Sequence, residues 1–304
     1  MKKIILSTLI LISLILPIKI YSKNTSDALE LIDTNKLNNI TLNYSYDNQE
    51  INDVNVKIYF IASISNDFQY KVEDNFKDYN INFNEMKTNE DLNILKDTLE
   101  SYIKADNIKE TKKFNIKDNK VEIKDLKPGL YLIETDEINT EKYTLSFEPF
   151  LINLPDLNDG YWNYNVNVYP KALASYPNYR TIEYTVIKQW QDNKENRPKK
   201  IDIEIYKDGN IVYNEILSLD NNWTFKWETI DDGSKWNVVE RNVPNNYSVS
   251  ILNKDKQFII INTSNNEKNP QTLDNINLYF YLLIGSFIGL ISLIIVLILN
   301  KKKA

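Results

Sequence analysis

The sequence predicts a mostly β protein of two tandem domains, the first with a helical insertion and the second a seven-strand sandwich. A signal peptide and a C-terminal transmembrane helix are expected to flank them. Three observations predict this. Long apolar runs sit at both ends of the 304 residues. Between them, apolar and polar residues alternate with the period of a strand. One segment, 89–105, changes to the period of a helix.

The chain opens MKKIILSTLILISLILPIKIYSKN. Two lysines precede an apolar run from Ile4 to Ile20, and Ser22 is a small residue suited to cleavage, so residues 1–22 read as a secretory signal peptide. Residues 23–171 form the expected first domain. ITLNYSYDNQEINDVNVKIYFIA (40–62) holds two alternating runs split by a polar turn at Asp47–Asn48. In NEDLNILKDTLESYIKA (89–105), Leu92, Leu95, Leu99 and Ile103 recur at threes and fours, which predicts one amphipathic helix with Asn89 or Asp91 near its N-cap. Strand patterns return in VEIKDL, GLYLIET, YTLSFEPFLINLP and WNYNVNVYP. This last run stops at Pro170, with Lys171 immediately behind it.

ALASYPNYR (172–180) is short and turn-rich and reads as a linker. Residues 181–265 then show seven strand patterns, spaced as an immunoglobulin-like sandwich requires. Asp208–Gly209 is a hairpin turn in this run. Near the C-terminus, Leu278–Leu299 is free of charge and long enough to cross a hydrocarbon core. It anchors an expected transmembrane helix at 276–299. Lys301, Lys302 and Lys303 lie in the tail, 300–304, and place it on the cytoplasmic side. The domains should therefore be exported.

Composition narrows the chemistry. The chain has no Cys and no His, which excludes disulfides, thiol nucleophiles, serine–histidine triads and the usual zinc sites. A formal net charge of −6 offers no basic surface to nucleic acid. No cofactor is implied.

The stretches YTVIKQW, RPKKIDIEIYKDG, NNWTFKWETI, WNVVERNVPNNY and FIIINT resemble, in order and spacing, the B-repeat (CnaB-type) immunoglobulin-like domain of Gram-positive surface proteins and pilins. Members of that family often form an internal isopeptide bond, in which a first-strand lysine joins a last-strand asparagine beside an acid on a middle strand. The resemblance places Lys188, Asn262 and Glu240 in those roles. The chemistry needs those types. An amine attacks an amide carbon only when neutral, and burial lowers a lysine pKa while raising that of a carboxyl. A protonated Glu240 could polarise the Asn262 carbonyl and shuttle protons as ammonia leaves. Glu240 would act once, on its own chain, so no turning-over enzyme is expected.

In the first domain, KDLKPGLYLIET, EPFLINLP and WNYNVNVYPK are similar to the N-terminal domain of sortase-assembled pilins. With this resemblance both domains are expected to be CnaB-type immunoglobulin-like sandwiches. WNYNVNVYPK looks like the pilin motif, which makes Lys171 the acceptor amine when a sortase joins one subunit's C-terminal threonine to the next. Glu134 of GLYLIET falls at the acid position. The first-strand lysine is replaced by Asn43, with Lys57 a weaker substitute, so an isopeptide bond is not expected in this domain. NPQTLD (269–274) stands where a sorting signal belongs, with Asn269, Pro270, Gln271, Thr272 and Leu273 as its motif and cleavage after Thr272. Asn269 replaces the common leucine and Leu273 the common glycine, which leaves the sortase class open and a plain membrane anchor as the alternative.

The resemblance implies a minor, basal pilin, joined to a pilus shaft subunit by sortase and fixed to a peptidoglycan precursor in the wall. A shaft pilin, or an adhesin for host matrix or cells, is the alternative. One outcome tests the motif directly. Wall digestion should release the wild-type protein, whereas Thr272→Ala should stay in the membrane fraction; equal release of both would overturn the assignment.

Overall fold

The computed structural model describes residues 31–83, 88–158, 160–193 and 197–265. The expected signal peptide, sorting motif, transmembrane helix and basic tail lie outside these described residues. Among the described residues, no helix is long and apolar enough to cross a membrane.

The structure is mostly β. Strands β1 (Asn38–Asn43), β2 (Asn55–Ile64) and β3 (Tyr70–Val72) precede helix α1 (Asn89–Ala105). There follow β4 (Lys112–Asn115), β5 (Lys120–Leu126), β6 (Gly129–Thr135), β7 (Ile138–Asn139), β8 (Thr144–Phe147) and β9 (Phe150–Leu154). Short strands β10 (Asp156–Asn158), β11 (Tyr161–Asn163), β12 (Asn165–Val168) and β13 (Ala172–Ser175) complete the N-terminal part. Strand β2 is its hub, pairing antiparallel with β3, β4 and β6, while β6 also pairs with β9. A second sheet runs β12–β1–β5, with β1 and β12 parallel.

The alternation of β2 explains its place. Val56 and Ile58 face a core shared with Ile40, Leu42, Val121, Ile123 and Phe147. Tyr59 and Ile61 face the other way, against Leu95, Leu99 and Ile103 of α1. The helix ends where its periodicity predicts, although its N-cap is Thr88. The Thr88 side chain accepts from the Asp91 backbone N–H, and the Asp91 side chain accepts from that of Thr88, a reciprocal capping box. Two further differences concern the end of this part. The WNYNVNVYP run is broken at Tyr164 into β11 and β12, which belong to different sheets. Residues 172–175, expected as linker, form β13, because Ala172–Ser175 pairs antiparallel with β8. Only 176–180 lies between the strands as a connection, held at its end by backbone bonds of Tyr179 and Arg180 to Asp231.

The C-terminal part has seven strands: β14 (Thr181–Gln191), β15 (Lys200–Lys207), β16 (Asn210–Ser218), β17 (Thr224–Ile230), β18 (Trp236–Arg241), β19 (Tyr247–Lys254) and β20 (Gln257–Ser264). They form a β17–β14–β20–β19 sheet and a β16–β15–β18 sheet. The two sheets share one core, with Val186, Val249, Ile251, Phe258 and Ile260 from one and Ile201, Ile203, Ile205 and Val238 from the other. Asp208 and Gly209 both have positive φ, 50° and 79°, at the β15–β16 hairpin, the backbone that a two-residue turn of this kind needs.

The two parts are tied together by α1. Beside its Leu95–Leu99–Ile103 face it carries Tyr102 and Ala105, which belong to the core of the C-terminal sandwich. Here α1 lies along β18 and β19, the outer strands of the two sheets. Outer strands present unpaired backbone groups, and the N-terminal part satisfies several of them on β19. Val249 N–H donates to the Asn80 carbonyl (3.0 Å), Ile251 N–H to Thr98 Oγ1 (2.8 Å) and Asn253 N–H to the Asp97 carboxylate (3.0 Å).

Gly129 opens β6 opposite an irregularity in β2 between Phe60 and Ala62. Its φ is +154°, and a Cβ there would overlap the Ala62 carbonyl oxygen and stand 2.6 Å from the Phe60 ring. Gly129→Ala should therefore cost about 2–3 kcal/mol, read as a lower thermal midpoint; an unchanged midpoint would show that β2 yields freely at this point.

Candidate functional site

Strand alternation turns Lys188 inward on β14, between Val186 and Trp190. The parallel register sets Lys188 beside Ile260 and Trp190 beside Asn262. Lys188 and Asn262 are thus diagonal neighbours on one inner face. Glu240 comes from the opposite sheet, on β18, where it pairs with Ile203 of β15. All three sequence-predicted residues of this domain meet in the core.

Their geometry is close. Lys188 Nζ is 3.2 Å from Glu240 Oε2, and both side chains are fully shielded from solvent. Asn262 Nδ2 donates to Glu240 Oε1 at 2.8 Å. Trp190 lies under the amine, with Nζ 4.4 Å from the ring centroid. Tyr247 and Trp223 pack edge-on against Trp190 and close that end. The 3.2 Å approach lacks hydrogen-bond alignment, so Lys188 Nζ, Glu240 Oε2 and Asn262 Oδ1 are each buried without a hydrogen-bond partner. Such orphaned groups are expensive in a folded core. Their coincidence at one spot marks a site with a use beyond packing.

Burial shifts both partners towards their neutral forms. Burial pushes the Lys188 amine down to about 8, against the opposing pull of Glu240. Burial likewise pushes the Glu240 carboxyl up, against Lys188 and the Asn262 hydrogen bond. The arrangement can therefore present a neutral amine, a protonated acid and an amide within contact distance, with water excluded. Among the described residues no group of acids forms a metal site.

The remaining sequence-predicted residues are separate. Glu134 is half-buried on β6, and desolvation raises its carboxyl; its Oε1 has no hydrogen-bond partner. Lys57 lies across the ladder from Glu134 but pairs with Asp136 at 2.6 Å. Asn43 closes β1. Lys171 stands between β12 and β13, with its side chain 70% exposed and Nζ 3.3 Å from Glu148 Oε2. The amine is exposed as expected, but it has a carboxylate partner. It borders an open groove of about 550 Å³ lined in part by Lys96, Phe150 and Tyr169. Asn269, Pro270, Gln271, Thr272 and Leu273 lie outside the described residues.

Sequence reasoning missed the contribution of α1. Tyr102 is buried, and its hydroxyl donates to the Glu240 carbonyl oxygen at 3.0 Å. The Asn237 side-chain amide donates to the Ser101 carbonyl at 2.8 Å. Thr98, Ser101, Tyr102 and Ala105 recur at threes and fours, and this mixed second stripe was the signal available. Its small and polar members read as a solvent face.

Residues 184–263 match the family model of the Cna protein B-type domain, and residues 28–173 match that of the Gram-positive pilin subunit D1, N-terminal domain. A collagen adhesin of Staphylococcus aureus is 32% identical over 97 residues, which is 29% of this chain and 8% of the adhesin. The chain thus spans only a small fraction of that relative. Among solved structures, the major pilin SpaD of Corynebacterium diphtheriae is 16% identical, with a TM-score of 0.30, over 77% of this chain and 65% of that one. GBS52, the minor pilin of Streptococcus agalactiae, is 13% identical, with a TM-score of 0.24, over 75% of this chain and 96% of that one. Both matched models describe structural domains of surface proteins. With one match in each part of the molecule, the chain is similar to a pilin D1 domain over residues 28–173 and to a Cna B-type domain over residues 184–263, which supports a Gram-positive pilin.

Proposed function

We propose that this chain is a minor, basal pilin of a sortase-assembled pilus, built from two tandem domains and anchored covalently to the cell wall. The observation that carries this reading is the place of Lys171. It follows the WNYNVNVYPK strand at the end of the D1-matching region, and its amine is exposed at the rim of a groove. In this reading a sortase carries the threonine acyl group of the shaft subunit to Lys171, and the same class of enzyme passes Thr272 to a peptidoglycan precursor. The Glu148 contact is an exposed pair of small energetic worth, which an enzyme can displace.

The second domain contributes an internal cross-link between Lys188 and Asn262. The Lys188 nitrogen attacks the Asn262 amide carbon, the bond to Nδ2 breaks, and Glu240 passes the amine proton to the departing ammonia. A half-turn of the Asn262 amide brings its orphaned Oδ1 to the Glu240 hydroxyl, the pairing that polarises the carbonyl. Such a link closes a loop of roughly 75 residues, worth about 4–5 kcal/mol by analogy with a disulfide. In the first domain Lys57 is engaged by Asp136, which supports the absence of an equivalent link there. The 97-residue match to a collagen adhesin favours a second reading, a surface adhesin for host matrix.

Intact-mass measurement should show wild-type protein lighter by one ammonia, about 17 Da, as amide formation from an amine and an amide requires. Glu240→Ala should restore the missing mass and lower protease resistance. A full unmodified mass in folded wild-type protein removes the cross-link. For the pilus, Lys171→Arg keeps the charge and removes the nucleophile. High-mass pili should still form in that strain but escape into the medium. Pili retained on the wall would sink the basal role, and loss of polymerisation altogether would make this chain the shaft subunit. Collagen binding by purified protein, unaffected by Lys171→Arg, would point to the adhesin.

A further inference from the structure

The Lys188–Glu240–Asn262 centre sits in the C-terminal sandwich, yet part of its enclosure comes from the N-terminal part. Glu240 lies on β18, an outer strand, and β19 is the outer strand of the facing sheet. That side of the sandwich would be open without α1. The helix closes it with Tyr102 and Ala105, which join the sandwich core. Hydrogen bonds from the helix fix the seam. Tyr102 holds the backbone of Glu240 itself, the Ser101 carbonyl holds Asn237 three residues earlier, and Thr98 holds Ile251 on β19. Beyond the helix end, Asp106 takes Arg241, the residue after Glu240, through contacts of 2.7 and 3.1 Å.

We propose that docking of α1 onto the β18–β19 edge completes the amide-forming centre, with Tyr102 as its positioning residue, so that the cross-link forms only after both parts of the chain have folded and joined. The inference rests on the reading that Lys188 and Asn262 become linked. Its logic is solvation. The reaction needs Glu240 protonated and Lys188 neutral at the same moment, and only a dry site favours that pair over the two ions. With α1 lifted away, water reaches the outer strand that carries Glu240. The acid then ionises, the amine takes the proton, and a protonated amine cannot attack. The bond changes are those already given: Nζ–Cγ forms, Cγ–Nδ2 breaks and ammonia carries off the proton, with no other reactant needed. Glu240 is faced by Lys188 from β14, Asp202 from β15, Asn262 from β20 and Tyr102 from α1. Arg241, its neighbour on β18, is held by Asp106 and Glu204.

Cell-free synthesis of the full-length chain starts the reaction at folding, and intact mass then follows the loss of about 17 Da over time across a range of pH. Ala105→Arg forces a long cation into the α1 seam. It should slow the reaction at least about tenfold near neutral pH and widen the profile between its acid and base limbs, because re-solvation lowers the Glu240 pKa and raises that of Lys188 while the reaction needs the acid protonated and the amine neutral together. Tyr102→Phe keeps the ring and removes the bond to the Glu240 carbonyl; a slowing of about fivefold is expected, the worth of one buried hydrogen bond. Should Ala105→Arg fail to fold, the near-isosteric Tyr102→Phe decides alone. Wild-type rate and an unchanged pH profile in the folded variants would overturn the inference while leaving the cross-link intact. A wild-type chain that never loses ammonia would remove the cross-link, and this inference with it.

Discussion

The structure depends on a helix with two buried faces. One face of α1 packs on β2 through Leu95, Leu99 and Ile103, and the other enters the C-terminal sandwich through Tyr102 and Ala105. An amphipathic helix ordinarily gives its second face to water. Here that face covers the outer strands β18 and β19 and caps backbone N–H groups that would otherwise need solvent. The edge problem of one sandwich is thereby solved by the neighbouring part of the chain.

Burial of a lysine amine follows from the same economy of solvent. Removing an amine and a carboxyl from water is costly unless they neutralise or pair closely. Lys188 and Glu240 have no exposed side-chain surface, and burial shifts each towards its uncharged form. Aromatic rings supply the dry walls: Trp190 under the amine, with Trp223 and Tyr247 against Trp190. Among the described residues, three buried polar atoms without a hydrogen-bond partner, Lys188 Nζ, Glu240 Oε2 and Asn262 Oδ1, gather at this one point between the sheets.

Much of this was legible beforehand. The seven strands of residues 181–265 follow from their alternation, and the span of α1 from the recurrence of Leu92, Leu95, Leu99 and Ile103 at threes and fours. Lys188, Glu240 and Asn262 were found through the order of motifs around them, and inward alternation carried them to one core. What the pattern could not give was partner choice. Thr98, Ser101 and Tyr102 look like solvent-facing residues until the β18–β19 edge is laid beside them. The N-cap is Thr88, one residue before the nearer of the two expected positions, Asn89 and Asp91, and Asp91 serves as its reciprocal partner in the capping box. Residues 172–175 became strand because β8 had a free side, a long-range fact invisible in ALAS.

The parallel pairing of the first and last strands of the sandwich has a mechanical consequence. Thr185–Gln191 lies in register with Gln257–Thr263, so a pull applied at Thr181 and at Ser264 acts on the two strands in opposite directions along their length. The hydrogen bonds between them are loaded together, in shear, instead of being opened one after another from an end. A Lys188–Asn262 amide would lie across that sheared pair and carry the tension directly from β14 to β20. The loops and strands between residues 188 and 262 would then bear almost none of it, and the sandwich would transmit force as a short covalent strap.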